Sequence, residues 1–297
     1  MKKNTSVAWR PIDATTLDLK GKKAIVVGGT GGLGRAIARL LAARGAEVVV
    51  VGQNFRDAGA ANIKFVQADL SLLSEAQRIA RELLAATADL LLFTTGIFAS
   101  PQRQSTREGV ERDMAVSYLN RLVMLREMAP RLGVHRPSGS IKARVFNMAY
   151  PGTGQLGAPD DLNGERSYKA MAQHMNTVAG NEILVLEGAR RYPHLDVFGL
   201  NPGVVKTNIR SNWMGHKRLL FAALEGMIGF FSPTPDQYAV RIVPLLATPD
   251  IEGRSGALFD KTAQAILPSD GMTEGFCETF LAASEALVTR AGVSLAH

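Results

Sequence analysis

The 297-residue sequence has few of the features that mark secreted, metal-binding or membrane-spanning proteins. Cys277 is its only cysteine, which excludes an internal disulfide and a cysteine-based metal cluster. Its five histidines are spread singly, without the spacing of metal ligands. No apolar run reaches the length of a membrane span, and polar residues follow Met1-Lys2-Lys3 where a signal peptide needs an apolar run. These absences predict a cytoplasmic protein without a metal site or an integral membrane segment.

The sequence also has no block of five or six like charges, although its formal net charge is +7. A basic balance can indicate binding to nucleic acid or to an anionic membrane surface. Because the basic residues are scattered, we expect neither partner. We expect instead a small-molecule ligand, with the basic groups helping to attract phosphate. A hydrophobic fraction of 46% suits one large α/β domain with a sizeable core.

A glycine-rich turn between an apolar strand and an amphipathic helix is the most informative segment. The predicted strand covers residues 24–27, and apolar residues recur at helical spacing over residues 36–41. Glycine permits a tight turn and lets a pyrophosphate approach the main chain, while the start of the helix offers unpaired N–H groups. The segment predicts a dinucleotide-binding unit, with a purely structural turn as the alternative. The cofactor-binding candidates in the turn are Gly28, Thr30, Gly31, Gly32, Leu33 and Gly34.

The spacing G-x-x-x-G-x-G, at Gly28, Gly32 and Gly34, resembles that of the short-chain dehydrogenase/reductase family. The resemblance extends over roughly residues 20–265. Strands that alternate with helices predict a single doubly wound α/β domain of the Rossmann type over residues 21–297, after an N-terminal extension. Its sheet is expected to be mostly parallel and seven-stranded, with helices on both faces. The resemblance further implies an NAD(P)(H) cofactor and a homodimer or homotetramer.

The loop after the second predicted strand bears on the choice of cofactor. Gln53 stands where an acidic residue would hold the ribose 2′-hydroxyl of NAD, and no acid appears until Asp57. Arg35 and Arg56 could both reach a 2′-phosphate, so the sequence favours NADP(H) over NAD(H). The alternative is that both arginines are merely solvated. The resemblance implies further cofactor contacts at Asp69, Leu70, Thr95, Gly96, Pro202, Gly203, Val205 and Thr207.

Two departures from the family pattern affect structure around these contacts. Threonines stand before Gly96 where the family has asparagines, which predicts a weaker tie between this strand and the sheet. A helix predicted over residues 106–131 carries Ser117 at the position of the family's active-site asparagine. The resemblance implies that the exposed face of this helix pairs with a second subunit.

The family's catalytic serine, tyrosine and lysine correspond to Tyr150, Tyr168 and Ala172 in this interpretation, so only the tyrosine is retained. The family lysine lies one helical turn after the tyrosine and lowers its pKa, because positions i and i+4 share a face. Lys169 lies about 100° around the helix and points elsewhere. Without that cation the pKa of Tyr168 should be near ~10, which suits a proton donor better than a base. The predicted catalytic residues are Tyr168, Tyr150 and Ser117, and a core tyrosine is the alternative for Tyr168.

Residues 208–233 are predicted to form a variable segment over the substrate site. Residues 219–231 are strongly apolar, which indicates either a hydrophobic lid above an apolar substrate or a core helix or subunit contact. The leading hypothesis is an NAD(P)(H)-dependent oxidoreductase that reduces a carbonyl on a small apolar molecule. The competing hypothesis is a protein that keeps the fold without ordinary redox activity, as a dinucleotide sensor, a small-molecule binder or a non-redox catalyst.

Overall fold

Eight strands form one sheet in the computed structural model, which describes residues 1–203 and 233–296. Their order is β3-β2-β1-β4-β5-β6-β7-β8. The first seven are parallel, and β8 pairs antiparallel to β7. The strands are β1 (Lys23–Val27), β2 (Glu47–Gly52), β3 (Ile63–Gln67), β4 (Leu90–Phe93), β5 (Ala143–Met148), β6 (Leu195–Leu200), β7 (Leu258–Phe259) and β8 (Ala265–Ile266). The mostly parallel sheet is confirmed, and the predicted count of seven is one short because two-residue β8 is too brief to show a period.

Helices cover both faces of this sheet. They are α1 (Gly32–Ala43), α2 (Leu73–Glu82), α3 (Arg112–Met114), α4 (Asn120–Met128), α5 (Ala170–Arg191), α6 (Pro235–Ala247) and α7 (Glu274–Arg290). A π-helical turn, Ala115–Leu119, joins α3 to α4. Short 3₁₀ turns include Ala14–Thr16, Ala85–Thr87, Ala129–Arg131, Pro159–Asp161 and Pro249–Ile251. Among the described residues, no helix is both long enough and apolar enough to cross a bilayer.

Two apolar clusters, one on each face of the sheet, explain why β1 is a continuous hydrophobic run in the sequence. In β1, Ile25 and Val27 belong to the cluster shared with α2, α4, α5 and α7. Ala24 and Val26 belong to the cluster shared with α1 and α6. A strand buried on both faces has no polar side to alternate with, as expected for a parallel sheet between two helical layers. The doubly wound α/β architecture is therefore confirmed.

The strand order reverses between β1 and β4. From β1 the chain proceeds outward to β2 and β3, and from β4 it proceeds the other way to β5 and β6. In open parallel sheets of this kind, ligands bind in the crevice outside the carboxyl ends of the strands at such a reversal. The segments that leave β1 and β4, residues 28–34 and 94–100, lie at that position.

The N-terminal residues lie along the antiparallel edge of the sheet. The indole N–H of Trp9 donates to the carbonyl of Ala263 at 2.7 Å. The backbone N–H of Asn4 donates to the carbonyl of Ala265 at 2.9 Å, and Leu267 donates to the carbonyl of Lys2 at 2.9 Å. These bonds cover β8, which would otherwise be an open edge strand.

The helix that was predicted over residues 106–131 is divided into α3, the π-helical turn and α4, and its expected exposed face is buried. Residues 120–126 are all buried within the single chain. Helix α2 packs along α4, where Gln77 Nε2 donates to Glu127 at 2.7 Å and Arg81 pairs with Glu127 at 2.8 Å. The closing helix α7 adds two further contacts: the hydroxyl of Tyr118 donates to Ser284 Oγ at 2.9 Å, and Arg126 pairs with Glu285 at 2.8 Å. The prediction of an exposed pairing face on this helix is therefore wrong, because α2 and α7 of the same chain pack on it.

Candidate active site

The glycine cradle, residues 28–34, turns sharply against the end of β4. Gly28 has a φ of +88°, in the left-handed region that favours glycine. A Cβ atom at Gly28 would come within 2.6 Å of the backbone nitrogen of Thr95 and 2.7 Å of the hydroxyl of Thr94. Gly32, with a φ of +51°, begins α1. The close approach of β1 and β4 therefore depends on the absence of a side chain at Gly28.

The start of α1 offers uncapped N–H groups to a ligand. Its N-cap is Gly31, which provides no side-chain hydrogen bond. A Cβ atom added to Gly31 would meet no other atom within 4 Å. The first turn thus combines unpaired backbone donors and the positive end of the helix dipole with open space in front of it. These residues fit the diphosphate of a dinucleotide.

The end of β4 is anchored from both sides. The hydroxyl of Thr94 donates to the carbonyl of Val27 at 2.9 Å, which ties β4 to β1. The carbonyl of Thr95 accepts a hydrogen bond from the guanidinium of Arg121. The tie that the sequence predicts to be weaker is made here by Thr94, whose short side chain reaches the neighbouring strand directly.

The residues predicted for the adenosine side form a small hydrogen-bonded group beyond β2 and β3. Gln53 Nε2 donates to Asp69 Oδ1 at 2.9 Å, and the same carboxylate accepts from the hydroxyl of Ser71 at 2.7 Å. Burial raises the pKa of Asp69, but the hydrogen bonds from Ser71 and Gln53 outweigh it and leave that pKa below its usual value. Leu70, which follows, is buried, and its carbonyl accepts from Asn120 Nδ2 at 3.2 Å.

The arginines near this group differ in their surroundings. Arg35 makes two hydrogen bonds to Asp57, at 2.6 and 2.8 Å, and the pair lowers the pKa of the Asp57 carboxyl. The guanidinium of Arg35 is thus occupied by Asp57. The negative charge of Asp57, the first acid after Gln53 in the loop, is thereby compensated. Arg56 is exposed and has no ion-pair partner in the described part of the chain.

Tyr168 lies outside the helix in which the sequence placed it. The helix α5 begins at Ala170 with Lys169 as its N-cap, so Tyr168 and Ala172 do not share a helical face, and Ala172 is exposed. The hydroxyl of Tyr168 donates to the carbonyl of Ser100 at 2.7 Å. Burial, together with the charges of Glu111 and Asp113, raises the pKa of Tyr168 to about 12. The sequence-based value near ~10 was too low because these acids are distant in sequence.

The other two predicted catalytic residues lie in different surroundings. Tyr150 follows β5 by two residues and is 39% exposed, and within residues 1–203 and 233–296 its hydroxyl makes no hydrogen bond to another protein group. Ser117 is buried in the π-helical turn. Its hydroxyl donates to Asp113 Oδ1 at 2.5 Å and accepts from the backbone N–H of Ile97 at 3.0 Å. The structure therefore joins Ser117, but not Tyr150, to the segment that leaves β4.

A histidine that the sequence analysis counted only among scattered residues completes this group. His174 Nδ1 lies 2.7 Å from Asp113 Oδ2, and its ring stacks on Phe98 with centroids 4.2 Å apart. The Asp113 carboxylate is fully buried, whereas the His174 side chain is 14% exposed. We name Asp113, Ser117 and His174 the Asp113 cluster. Two sequence signals could have indicated it: Asp113 and Ser117 are four residues apart on one helical face, and His174 is the first ionisable residue of α5.

A fully buried cation lies behind the Asp113 cluster. Arg121 donates to Asn147 Oδ1 and to the carbonyl of Met148, both at 2.7 Å, and to Asn181 Oδ1 at 2.9 Å. Asn181 Nδ2 in turn donates to the carbonyl of Ser117 at 2.7 Å. Arg121 forms no salt bridge to a described carboxylate, and burial lowers its pKa to about 9, against the opposing effect of Asp113. It therefore remains charged at neutral pH and links the ends of β4 and β5 to α5.

The remaining predicted cofactor residues are Pro202 and Gly203, which follow β6. Gly203 has a φ of +64°, and its backbone N–H donates to Asn201 Oδ1 at 2.9 Å. Val205, Thr207 and nearly all of the predicted lid at 208–233 lie outside the described residues. In the parts of the chain that the structure describes, no group of three or more His, Cys, Asp or Glu side chains could hold a metal ion.

Comparisons with known proteins find relatives among oxidoreductases and similar folds among solved structures. The family described as short chain dehydrogenase matches residues 22–143. An uncharacterized oxidoreductase of Saccharomyces cerevisiae is 48% identical over 294 residues, which cover 98% of this chain and 95% of the relative. The structure of an uncharacterized protein of Mycobacterium paratuberculosis matches with a TM-score of 0.67 and 21% identity, covering 94% of this chain and 97% of that one. A 3-oxoacyl-(acyl-carrier-protein) reductase of Agrobacterium tumefaciens, solved with NADP bound, matches with a TM-score of 0.62 and 19% identity, covering 83% and 95%.

Proposed function

The chain belongs to the short-chain dehydrogenase/reductase family of oxidoreductases, and on that premise we propose that it uses NADP(H) to reduce a carbonyl on a small, largely apolar molecule. The observation that carries the proposal is the glycine cradle, whose uncapped helix start opens at the reversal of strand order beside the Asp113 cluster. When bound, the cofactor supplies the hydride for such a reduction. The chain itself must hold the diphosphate, orient the carbonyl and deliver a proton.

The binding roles follow from the position of each segment along the crevice. We assign the diphosphate to the glycine cradle and the adenosine to the group after β2 and β3. The nicotinamide half is assigned to the segments after β4 and β6. The proposed contacts are Gly28, Thr30, Gly31, Gly32, Leu33, Gly34, Gln53, Arg56, Asp69, Leu70, Thr95, Gly96, Pro202, Gly203, Val205 and Thr207.

Three features support NADP(H) over NAD(H). Gln53 leaves no carboxylate at the position that would repel a 2′-phosphate. The carboxylate of Asp57 is compensated by Arg35. Arg56 is exposed next to this pair and keeps its guanidinium available for a phosphate.

The predicted catalytic residues enter this proposal with unequal support. Tyr168 has its pKa raised to about 12, so its phenol is neutral and can donate a proton but is a poor base. The hydroxyl of Ser117 is engaged by Asp113, which favours an orienting role. The exposed Tyr150 is retained as a hydroxyl that could contact substrate.

The competing hypothesis of a non-redox protein rests on one specific observation. The helix α5 contains neither a tyrosine nor a lysine, although the family pattern requires both on this helix. A dinucleotide sensor or small-molecule binder would keep the glycine cradle and dispense with these groups.

The two hypotheses are separated by measuring binding and turnover on the same protein. We expect NADPH to raise the melting temperature and to give a calorimetric binding signal. Nicotinamide absorbance should then fall with at least one member of a panel of apolar aldehydes and ketones. Tight NADPH binding without oxidation by any member supports the non-redox hypothesis, and absence of binding overturns both.

Three further expectations from the sequence belong to this proposal. A homodimer or homotetramer would have to use a surface other than the helix face that α7 covers. A cytoplasmic location is still supported only by the sequence. An apolar substrate is suggested by residues 219–231, which lie beyond the described part of the chain.

A further inference from the structure

We propose that His174, oriented by Asp113, is the acid–base group of this protein and transfers the proton to and from the substrate oxygen. The inference rests on the proposed function, because it supplies the proton that carbonyl reduction requires. It assigns this role to His174 and not to Tyr168, the residue that the sequence pattern predicted.

Both oxygens of the Asp113 carboxylate are occupied by donors from its own cluster. Oδ1 accepts from the hydroxyl of Ser117 at 2.5 Å, and Oδ2 faces His174 Nδ1 at 2.7 Å. An ionised carboxylate only accepts hydrogen bonds, so the proton of the neutral imidazole is assigned to Nδ1. Because the Asp113 carboxylate is fully buried and hydrogen-bonded through both oxygens, it holds the ring of His174 in one orientation. Ser117 and Asp113 are therefore positioning residues.

The second ring nitrogen is left for a substrate. Nε2 of His174 has no hydrogen-bond partner among the described residues, and the side chain retains 14% exposure. With Nδ1 as donor to Asp113, Nε2 is an acceptor in the neutral ring and a donor in the protonated ring. This is the arrangement that a reversible acid–base group requires.

The imidazole of His174 lies against the segment that leaves β4, the same segment on which the glycine cradle packs. Its ring stacks on Phe98, and the neighbouring Ile97 donates its backbone N–H to Ser117. Gly96 is the one residue between Ile97 and Thr95, and a Cβ atom at Gly28 would lie 2.6 Å from the backbone nitrogen of Thr95. The Asp113 cluster and the glycine cradle are therefore attached to the same five-residue stretch.

Tyr168 is a weaker candidate for the same role. Its hydroxyl proton is donated to the carbonyl of Ser100, and its pKa of about 12 leaves almost no phenolate at neutral pH to accept a proton from an alcohol. The imidazole of His174 offers an acceptor at Nε2 when neutral and a donor when protonated, so it can serve both directions. Asp113 is the charged group bonded to His174, and the groups coupled to Asp113 in turn are Glu111 before α3, Arg121 on α4 and Tyr168 before α5.

The proton balance of the reduction is simple. The Nε2–H bond of the protonated His174 breaks, and its proton goes to the carbonyl oxygen while the carbonyl carbon accepts a hydride from the bound cofactor. The C=O π pair becomes the O–H bonding pair, so the products are an alcohol, oxidised cofactor and neutral imidazole. Solvent then returns a proton to Nε2, and Asp113 accepts from Nδ1–H throughout. Alcohol oxidation is the reverse.

The activity test compares His174→Gln with His135→Gln, a matched change at an exposed histidine. We expect His174→Gln to lower kcat about 100-fold or more, with the substrate KM and the NADPH-induced rise in melting temperature nearly unchanged. The pH profile of kcat/KM should lose one ionisation in this variant. His135→Gln should keep kcat within about threefold.

The outcomes separate this inference from the proposed function. If wild-type turnover survives in His174→Gln with an unchanged pH profile, the inference is overturned and the proposed function stands. If the wild type binds NADPH but reduces no carbonyl compound, both are overturned.

A second measurement needs no cofactor. Nitrogen-15 NMR of the histidine rings in the free protein should show the neutral His174 protonated on Nδ1, and Asp113→Asn should remove that preference. A wild-type ring protonated on Nε2 alone would contradict the proposed orientation and overturn the inference.

Discussion

The glycine cradle and the Asp113 cluster lie on either side of the segment that leaves β4, but they are built in opposite ways. In the proposed site the cradle binds through the main chain. Gly28 and Gly31 have no side chain to obstruct a ligand, and the start of α1 provides the N–H groups. The Asp113 cluster acts through side chains from two segments 61 residues apart, Asp113 and His174. Main-chain binding tolerates no addition of atoms, whereas side-chain chemistry can be supplied by different residues from different elements.

The junction between the two regions is Arg121, and removing it gives the largest expected effect. Arg121→Met keeps the volume but leaves the carbonyls of Thr95 and Met148 and the amide oxygen of Asn147 without the guanidinium donor. Each orphaned buried acceptor costs roughly 1–3 kcal/mol, partly offset because a charge is no longer buried. We expect a loss of about 3 kcal/mol in the free energy of unfolding, measured with urea, and loss of NADPH-dependent turnover.

The matched control is Arg126→Met, another guanidinium that is 3% exposed. Its guanidinium pairs with Glu187 on α5 and with Glu285 on α7, so it joins these helices and does not bond to the end of β4. This variant should also lose stability but, at a temperature where it is folded, should keep its NADPH affinity within about threefold. Equal loss of affinity in both variants would show that Arg121 acts through general stability and not at the junction.

Local sequence was sufficient to predict the cradle side of this comparison. The strand predicted over residues 24–27 agrees with β1 to within one residue, because this strand is an apolar run buried on both faces. The glycine turn and the start of α1 are contiguous in the chain. A feature whose parts are all within about ten residues can be recognised from residue type and spacing alone.

The other side of the comparison depends on contacts that no local pattern reports. Tyr168 is predicted to lie on a helix because the family motif that it matches lies on one, but Lys169 has an extended conformation and α5 begins one residue later. The bond between His174 and Asp113 is set by how α5 packs on α3. The burial of α4 likewise depends on two helices distant in the chain, α2 and α7, the second of which begins more than 140 residues further along.

A single added methyl group tests whether the cradle binds through open space. Gly31→Ala has a backbone φ of −157°, which alanine adopts freely, and its Cβ would contact no protein atom within 4 Å. We expect unfolding free energy within about 0.5 kcal/mol of wild type, because no strain or clash is introduced. The NADPH dissociation constant, measured by calorimetry, should rise about tenfold or more, because the methyl group occupies the diphosphate position.

The control for this change is Gly275→Ala on α7, whose added Cβ would also meet nothing within 4 Å. Gly275→Ala should keep the NADPH affinity of the wild type, and its stability should equal or exceed that of the wild type because alanine is the better helix former. An unchanged dissociation constant in Gly31→Ala would place the diphosphate elsewhere and would remove the main-chain half of the comparison.

The smallest expected effect concerns Arg56, the side chain proposed to favour NADP(H) over NAD(H). Arg56→Gln removes an exposed positive charge beside Gln53, and the ion pair of Arg35 with Asp57 remains to hold the loop. Since exposed charge contacts contribute about 1 kcal/mol, the dissociation constant for NADPH should rise roughly five- to tenfold while that for NADH changes less than twofold. Arg254→Gln, an exposed arginine that precedes β7 at the opposite edge of the sheet, should change neither constant. If Arg56→Gln weakens NADPH and NADH equally, Arg56 contacts a group that the two cofactors share, and the preference must come from the main chain after all.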